Sequence, residues 1–141
     1  MNKQLEFNSK WNGTMNLSLE INSYYNNNCL YIGLVDESEG YPEPYGDLTV
    51  NLMGKCPDYC GYVDINNMPE LEEFIEKHEL GEFTGLTGKS GFCTYPLYLF
   101  NVDKLREYCP DGMEMYERSI GKVQEKEEVK KEEVKKEEVR K

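Results

Sequence analysis

A strict alternation of polar and apolar side chains from residue 14 to residue 22 constrains the fold more than any other feature of the chain. Successive side chains of a β-strand point to opposite faces, so this period of two predicts a strand with one buried face. Asn12-Gly13 comes directly before it, and this dipeptide favours the tight turns of β-hairpins. Leu5 and Phe7 alternate with polar residues before the turn. The sequence therefore predicts an antiparallel hairpin at its beginning.

Further strands are predicted downstream from apolar or alternating runs. A run that is apolar on both faces is typical of a central strand, and glycine with proline marks the connections. The predicted strands are 29–35, 47–53, a short extension at 61–64, and 94–100. The predicted connections are an acidic loop over 36–46 and a flexible glycine-rich segment over 85–91.

One main helix is predicted between these strands. Asn66 and Asn67 are suitable caps, and Leu71, Phe74 and Ile75 share one face at helical spacing. Glycine at position 81 predicts its end near residue 80. A second, short helix is expected over 102–108. We therefore predict an α+β fold, a mainly antiparallel sheet of roughly four to six strands with one main helix on a face.

The composition changes abruptly after residue 120. The motif K-E-E-V-K recurs at 126–130 and 131–135, followed by K-E-E-V-R at 136–140. A five-residue spacing advances about 140° around an α-helix, so the valines form no apolar stripe. We interpret 1–120 as one acidic α+β domain and 121–141 as a charged tail, helical or disordered. A partner-binding helix is the alternative for the tail.

The negative charge belongs to the domain rather than the tail. The whole chain carries 27 Asp plus Glu and 16 Lys plus Arg, a net charge of −11. Residues 1–120 hold 20 acidic and 8 basic residues, a net of −12, whereas the tail has a net of +1. Such a domain repels nucleic acid and anionic lipid and attracts basic protein surfaces. With no apolar segment of membrane length, the expected location is the cytoplasm, where the five cysteines remain free thiols.

Gly88-Lys89-Ser90 resembles the end of a phosphate-binding P-loop but does not fit that motif. The P-loop needs a glycine five residues before its last glycine, and here that position is Phe83. The loop must also open a helix, whereas a β-prone run containing Pro96 follows. We interpret the tripeptide as a turn and expect no nucleotide hydrolysis.

Other catalytic and metal chemistries have weak signals. Cys93 and the sole histidine, His78, could form a thiol–base pair, although both fit structural roles beside apolar neighbours. Cys56 and Cys60 are separated by three residues and lack a second close pair, so a zinc site is not indicated. We expect no cofactor, no metal and no enzymatic activity, and keep a small thiol enzyme as an alternative.

Acidic side chains are concentrated in the predicted loop and the predicted helix, with tyrosines between them. Carboxylates spaced over a rigid surface can imitate the phosphates of nucleic acid, and tyrosines add contact area at low entropic cost. A solvated charged surface without a partner is the alternative interpretation. The residues expected to bind a partner are Asp36, Glu37, Glu39, Tyr41, Glu43, Tyr45, Asp47, Glu70, Glu73 and Glu76.

Two segments and the helix start also carry a family resemblance. They are LTVNL at 48–52, LGEFTGLTGKSGFCTYPLYLFN at 80–101, and Asn66-Asn67. Over about residues 4–105 the chain resembles a group of small uncharacterised proteins from conjugative and phage-like elements of Gram-positive bacteria. The resemblance implies a small α+β domain in a mobile element and assigns no activity.

The charge and the resemblance together lead to one functional hypothesis. The protein is expected to be a non-enzymatic inhibitor in a bacterial host, binding the basic nucleic-acid groove of a defence nuclease or its guide complex, as anti-CRISPR and antirestriction proteins do. Its partner would be protein, with no direct contact to nucleic acid or membrane. An adaptor of a conjugation or phage apparatus, binding through the tail, is the remaining alternative.

Overall fold

The computed structural model describes residues 3–52 and 54–122. Within them the chain forms two antiparallel four-stranded sheets and three helices. The strands are β1 (Gln4–Ser9), β2 (Gly13–Ser23), β3 (Leu30–Asp36), β4 (Glu43–Asp47), β5 (Thr49–Val50), β6 (Cys60–Val63), β7 (Gly81–Ser90) and β8 (Cys93–Phe100). The helices are α1 (Leu71–Lys77), α2 (Val102–Tyr108) and α3 (Pro110–Ser119). The predicted α+β class with antiparallel pairing is confirmed.

The first sheet has the strand order β1-β2-β3-β4 and curls on itself. The predicted hairpin is confirmed, since Leu5 lies opposite Leu17 in the β1–β2 ladder. Although β1 and β4 are the two edges, the hydroxyl of Tyr45 in β4 donates to Ser9 Oγ in β1 at 3.0 Å. The ring of Tyr45 also meets Phe7 edge-on, with centroids 5.7 Å apart. The curled inner face therefore encloses apolar side chains from all parts of this sheet.

The second sheet has the order β5-β6-β8-β7, which leaves β7 at an edge. The chain passes from the first sheet to the second at Leu48, whose N–H donates to Ile32 at 2.8 Å and whose carbonyl accepts from Asp64 at 3.0 Å. The β7–β8 ladder shifts register between Phe83 and Thr87, around a Gly85 with φ +90°. Such a bulge interrupts an edge and limits unwanted strand pairing there.

Helix α1 lies against the free edge of β1 and extends toward β7. Its buried face consists of Leu71, Phe74 and Ile75, as the spacing predicts. At its two ends, Glu70 accepts the backbone N–H of Lys10 at 2.8 Å, and His78 Nε2 lies 2.6 Å from the Glu6 carbonyl oxygen. The helix thereby satisfies polar groups that an exposed edge strand would leave to solvent.

Several predicted boundaries are wrong. The predicted loop 36–46 contains most of β4, because β3 supplies ladder partners and an edge strand tolerates proline. The predicted flexible segment 85–91 mostly belongs to β7. The N-cap of helix α1 is Glu70 and not Asn66 or Asn67, and the helix ends at Lys77 and not near residue 80. The side-chain amide of Asn67 donates to Asp64 Oδ2 at 2.7 Å.

One further predicted strand differs in extent from the structure. The predicted strand 47–53 spans the crossing between sheets, where β4 ends and the two-residue β5 begins. Helix α3 was not predicted at all. The proposed tail 121–141 lies outside the described residues, apart from Gly121 and Lys122.

Candidate protein-interaction surface

The acidic residues predicted on the 36–47 segment do not form one face. Asp36 accepts the backbone N–H of Ser38 at 3.0 Å and caps the turn. Glu37 is half-buried beside α3, and its Oε2 has no hydrogen-bond partner among the described residues. Asp47 accepts the hydroxyl of Tyr31 at 2.8 Å. These three carboxylates are therefore held in separate environments.

The remaining predicted binding residues of the 36–47 segment also lie in different environments. Glu39, Tyr41 and Glu43 are exposed around the β3–β4 turn. Tyr45 points inward, because it closes the first sheet against Ser9. The exposed predicted residues of this segment are therefore those of the turn together with Asp47, whose carboxylate is engaged by Tyr31.

The predicted residues around α1 lie on two sides of the helix. Glu70 and Glu73 flank a small hollow beside β1 that Lys77 also lines. Glu76 lies on the other side, toward β7. The helix therefore contributes Glu76, and not Glu70 or Glu73, to the larger concave surface described next.

Two adjoining cavities of about 420 Å³ each lie between α1 and the start of β7. Both are lined by Glu76, Gly81 and Glu82. Glu72 lines one of them and Glu79 the other. We call this joint space the α1–β7 groove, and define it by Glu72, Glu76, Glu79, Glu82, Phe83 and Leu99. Among the described residues, no lysine, arginine or histidine lines it.

The floor of the α1–β7 groove contains a partly open aromatic ring. Phe83 is 50% exposed and lies 5.9 Å from the ring of Tyr98, its ladder partner. Leu99 is 45% exposed and pairs with Glu82, so its side chain points to the opposite face of the β7–β8 ladder and lines the second cavity. Exposed apolar side chains beside a polar rim are typical of interaction sites.

The carboxylate of Glu72 is fixed by the sheet beneath it. The hydroxyl of buried Tyr98 donates to Glu72 Oε2 at 2.7 Å. Burial raises the pKa of Tyr98, and the hydrogen bond to Glu72 and the charges of Glu72 and Glu76 raise it further. Tyr98 therefore remains a neutral donor at physiological pH and orients one rim carboxylate.

A glycine makes the close pairing of β7 with β8 possible just after α1. A Cβ at Gly81 would lie 2.7 Å from the Leu99 carbonyl oxygen and 3.1 Å from the Phe100 Cα, both backbone atoms. Just before it, Glu79 adopts φ +55°, which turns the chain sharply out of α1. The sharp turn brings Glu79 and Glu82 to the same groove as the helical Glu76.

The ion pairs of the described residues leave the groove uncompensated. They join Lys3 to Glu107, Lys77 to Glu6, Arg106 to Glu117, Arg118 to Glu114 and Lys122 to Asp58. None of these acids lines the groove. The groove therefore concentrates negative charge, and within the described part of the chain no basic side chain lines it.

Sequence reasoning missed three of the four groove carboxylates. Glu72, Glu79 and Glu82 were not among the predicted binding residues. Glu72, Glu76 and Glu79 follow the spacing i, i+4, i+7 of one helical face, which was a usable signal. Glu82 had no comparable signal, because only the fold of β7 brings it to that face.

The thiol–base pair considered from sequence does not come together. His78 follows α1 and contacts the Glu6 carbonyl. Cys93 is the first residue of β8. Gly81 follows His78 by three residues and pairs with Phe100, which is the last residue of β8. At the usual rise per strand residue, the two ends lie roughly 20 Å apart.

The Gly-Lys-Ser tripeptide is part of a strand and not the predicted turn. Gly88, Lys89 and Ser90 pair with residues 93–95 in the β7–β8 ladder. The backbone there is engaged with the neighbouring strand, and no helix begins at this point. The geometry of a phosphate-binding loop is therefore missing, as the sequence predicts.

The cysteines show no metal centre in the described part of the chain. All five are free thiols. The N–H of Cys56 donates to Cys29 Sγ at 3.2 Å, and burial, followed by the hydrogen bond to Cys29, raises the pKa of the Cys56 thiol to about 12. Within residues 3–52 and 54–122, no three or more His, Cys, Asp or Glu side chains are placed to hold a metal ion.

Comparison with known proteins identifies the family. The model of a domain of unknown function, DUF4313, matches residues 18–120, which is most of the chain. The chain belongs to the DUF4313 family. The DUF4313 match runs from the middle of β2 to the end of α3 and so includes the whole α1–β7 groove. No curated protein and no solved structure matches the chain. In the described part of this DUF4313 protein, no helix combines the length and apolar character needed to cross a bilayer.

Proposed function

We propose that this protein is a non-enzymatic interaction protein whose α1–β7 groove binds a basic surface of a partner protein. The partner we propose is the nucleic-acid-binding groove of a host defence nuclease, so that the protein acts as an inhibitor of the anti-CRISPR or antirestriction type. The observation that carries the proposal is the groove itself, which is lined by Glu72, Glu76, Glu79 and Glu82 with the half-exposed ring of Phe83, and by no basic side chain among the described residues.

Charge and shape both support a protein partner. Single exposed ion pairs contribute only about 0.2–1 kcal/mol each, so several carboxylates must act together with buried apolar area. The groove offers both, since the half-exposed ring of Phe83 lines the same cavity as Glu72 and Glu76. A basic cleft that normally holds phosphates would present complementary charge to the same surface.

The inhibitor interpretation rests on two further considerations. The described domain has a large excess of carboxylates, so it repels nucleic acid and competes with it for a basic cleft. The resemblance to proteins of mobile elements provides a biological setting in which inhibitors of host nucleases are useful. The DUF4313 family itself is of unknown function and is compatible with this proposal.

Two matched double variants test which acidic surface binds. Glu76→Gln with Glu82→Gln removes two of the four negative charges of the groove, and Glu39→Gln with Glu43→Gln removes the same charge from the exposed β3–β4 turn. Each protein is used to capture partners from bacterial lysate at low and high salt. A retained nuclease is then assayed for cleavage with each variant added.

The proposal expects wild-type protein and the turn variant to inhibit the retained nuclease at low salt. Excess nucleic acid and high salt should both relieve the inhibition, because they compete for or screen the same charges. The groove variant should inhibit at least about tenfold less, as expected when several charge pairs are removed together. Full cleavage in the presence of wild-type protein, or equal inhibition by the groove variant, would overturn it.

A further inference from the structure

We infer that the α1–β7 groove is selective for arginine, and takes a guanidinium group from an extended segment of the partner. The inference deepens the proposed function and rests on it, because it names the chemical group that the same groove recognises. It depends on the combination of carboxylates with an exposed aromatic ring, and not on negative charge alone.

The rim provides acceptors that suit a planar, forked donor. Glu72 and Glu76 line the same cavity as Phe83, so a group placed against that ring has two acidic residues of the helix beside it, while Glu82 of the strand lines both cavities. Glu72 is held in place by Tyr98 at 2.7 Å, so one rim acceptor is already oriented. Guanidinium presents several N–H donors in a fixed plane and pairs with carboxylates through two parallel bonds, whereas ammonium is a point charge.

The floor provides a surface on which that plane can stack. The ring of Phe83 is half-exposed within the groove and lies beside Tyr98. Arginine stacks on aromatic faces and is less strongly hydrated than lysine, so it loses less on entering a partly apolar groove. Leu99 lines the second cavity, on the other face of the β7–β8 ladder, and can contact an aliphatic neighbour of the arginine there.

Charge complementarity favours a foreign basic segment over a second copy of this chain. Two copies meeting at this groove would bring Glu76 and Glu82 of each toward the acidic surface of the other, and like charges at close range destabilise such a contact. A segment with arginine at alternate positions, as in a β-strand, has both the charge and the spacing to reach the rim while its other side chains contact the floor.

The experiment uses three capped pentapeptides, VRVRV, VKVKV and the VRVRV analogue with citrulline in place of arginine. Binding to the full chain is followed by calorimetry and by NMR shifts of groove amides. The arginine peptide should bind about two- to fivefold more tightly than the lysine peptide, the range expected for stacking at a partly exposed site. The uncharged citrulline peptide should bind weakest.

Matched variants separate stacking from charge. Phe83→Leu keeps the apolar floor and all carboxylates, and should bring the arginine and lysine affinities together. Phe92→Leu removes an aromatic ring that is fully exposed at the β7–β8 turn, and should leave the preference intact. Glu76→Gln with Glu82→Gln should weaken both basic peptides.

The outcomes distinguish this inference from the proposed function. Equal binding of the arginine and citrulline peptides, or an arginine preference that survives Phe83→Leu, overturns the inference and leaves nuclease inhibition intact. Selective arginine binding with no inhibited nuclease overturns the proposed partner and supports the inference. If sedimentation shows a dimer that Glu76→Gln with Glu82→Gln dissociates, or if Arg140→Gln tightens peptide binding, the occupant is this chain itself and the inference is wrong.

Discussion

The hydroxyl of Tyr45 donates to Ser9 Oγ at 3.0 Å and joins the two edge strands of the first sheet. Ser9 Oγ also accepts the backbone N–H groups of Trp11 and Asn12, at 3.2 and 3.0 Å. One buried serine therefore organises the β1–β2 turn and closes the curled sheet. The backbone N–H of the next residue, Lys10, donates to the carboxylate of Glu70, the N-cap of α1. The closure of the first sheet and the position of α1 are therefore linked.

Tyr45→Phe should destabilise the fold without changing its shape. The phenylalanine ring keeps the edge-on contact with Phe7, whereas the hydrogen bond to Ser9 is lost. We expect the free energy of unfolding to fall by about 1 kcal/mol, measured by urea denaturation. Tyr41→Phe is the control, because Tyr41 is exposed at the β3–β4 turn. An equal effect of both variants would contradict the structural role of the Tyr45–Ser9 bond.

Gly112→Ala should destabilise the protein, although alanine favours helices over glycine. A Cβ at Gly112 in α3 would lie 2.3 Å from the carbonyl oxygen of Ile21 in β2. Alanine gains about 0.8–1.0 kcal/mol in helix propensity, whereas forcing atoms into a packed site costs about 1–3 kcal/mol. We expect a lower melting temperature. Met115→Ala, at an exposed position of α3, should change stability by less than about 0.5 kcal/mol.

Arg106→Gln should cost more than the loss of an ordinary surface ion pair. Arg106 donates to both carboxylate oxygens of Glu117 at 2.6 and 3.2 Å, and the Glu117 side chain is only 6% exposed. Removing the partner leaves a buried carboxylate with reduced compensation, at a cost of about 1–3 kcal/mol. Lys3→Gln breaks the exposed pair with Glu107 and should cost under about 1 kcal/mol. Chemical denaturation of both variants measures the difference.

Alkaline pH should unfold the protein through its buried tyrosines. Burial raises the pKa of Tyr116 to about 12 against the opposing hydrogen bond from the backbone N–H of Tyr59, and the charges of Asp58, Cys29 and Cys60 make smaller contributions in the same direction as burial. In the unfolded chain tyrosine ionises near pH 10, so from there to about pH 12 the unfolded state loses protons that the folded state keeps. The free energy of unfolding must therefore fall as pH rises through this window.

Absorbance of phenolate and far-ultraviolet circular dichroism check this expectation together. The Tyr116 phenolate signal should appear cooperatively with the loss of secondary structure, and Tyr116→Phe should make the decline of stability with pH less steep. Ionisation of Tyr116 near pH 10 with the fold intact would show that its burial does not control the titration.

Local patterns were sufficient where neighbouring residues determine the structure. The β1–β2 hairpin follows from alternation with Asn12-Gly13, and the buried face of α1 follows from Leu71, Phe74 and Ile75. The short helix predicted over 102–108 has those bounds in the structure. In each case the signal is a side-chain period or a turn residue within a few positions of the element.

Local patterns failed where a distant strand supplies the hydrogen bonds. Residues 43–47 contain proline and glycine, a composition that predicts a loop, yet these residues form hydrogen-bonded pairs with β3. Residues 85–90 contain two glycines, yet β8 pairs along most of this segment. Ladder bonds and packing override weak local preferences, and a single sequence does not reveal which strand supplies them.

The sequence by itself determined the α+β class, the excess of carboxylates and the absence of a P-loop motif, because these depend on composition and short-range order. Only the tertiary structure decided which carboxylates face one another. Glu76 belongs to a helix and Glu82 to an edge strand, and they share a groove because the turn at Glu79 places the start of β7 beside α1. A surface of this kind depends on the tertiary fold, because the fold brings together residues that have no regular spacing in the sequence.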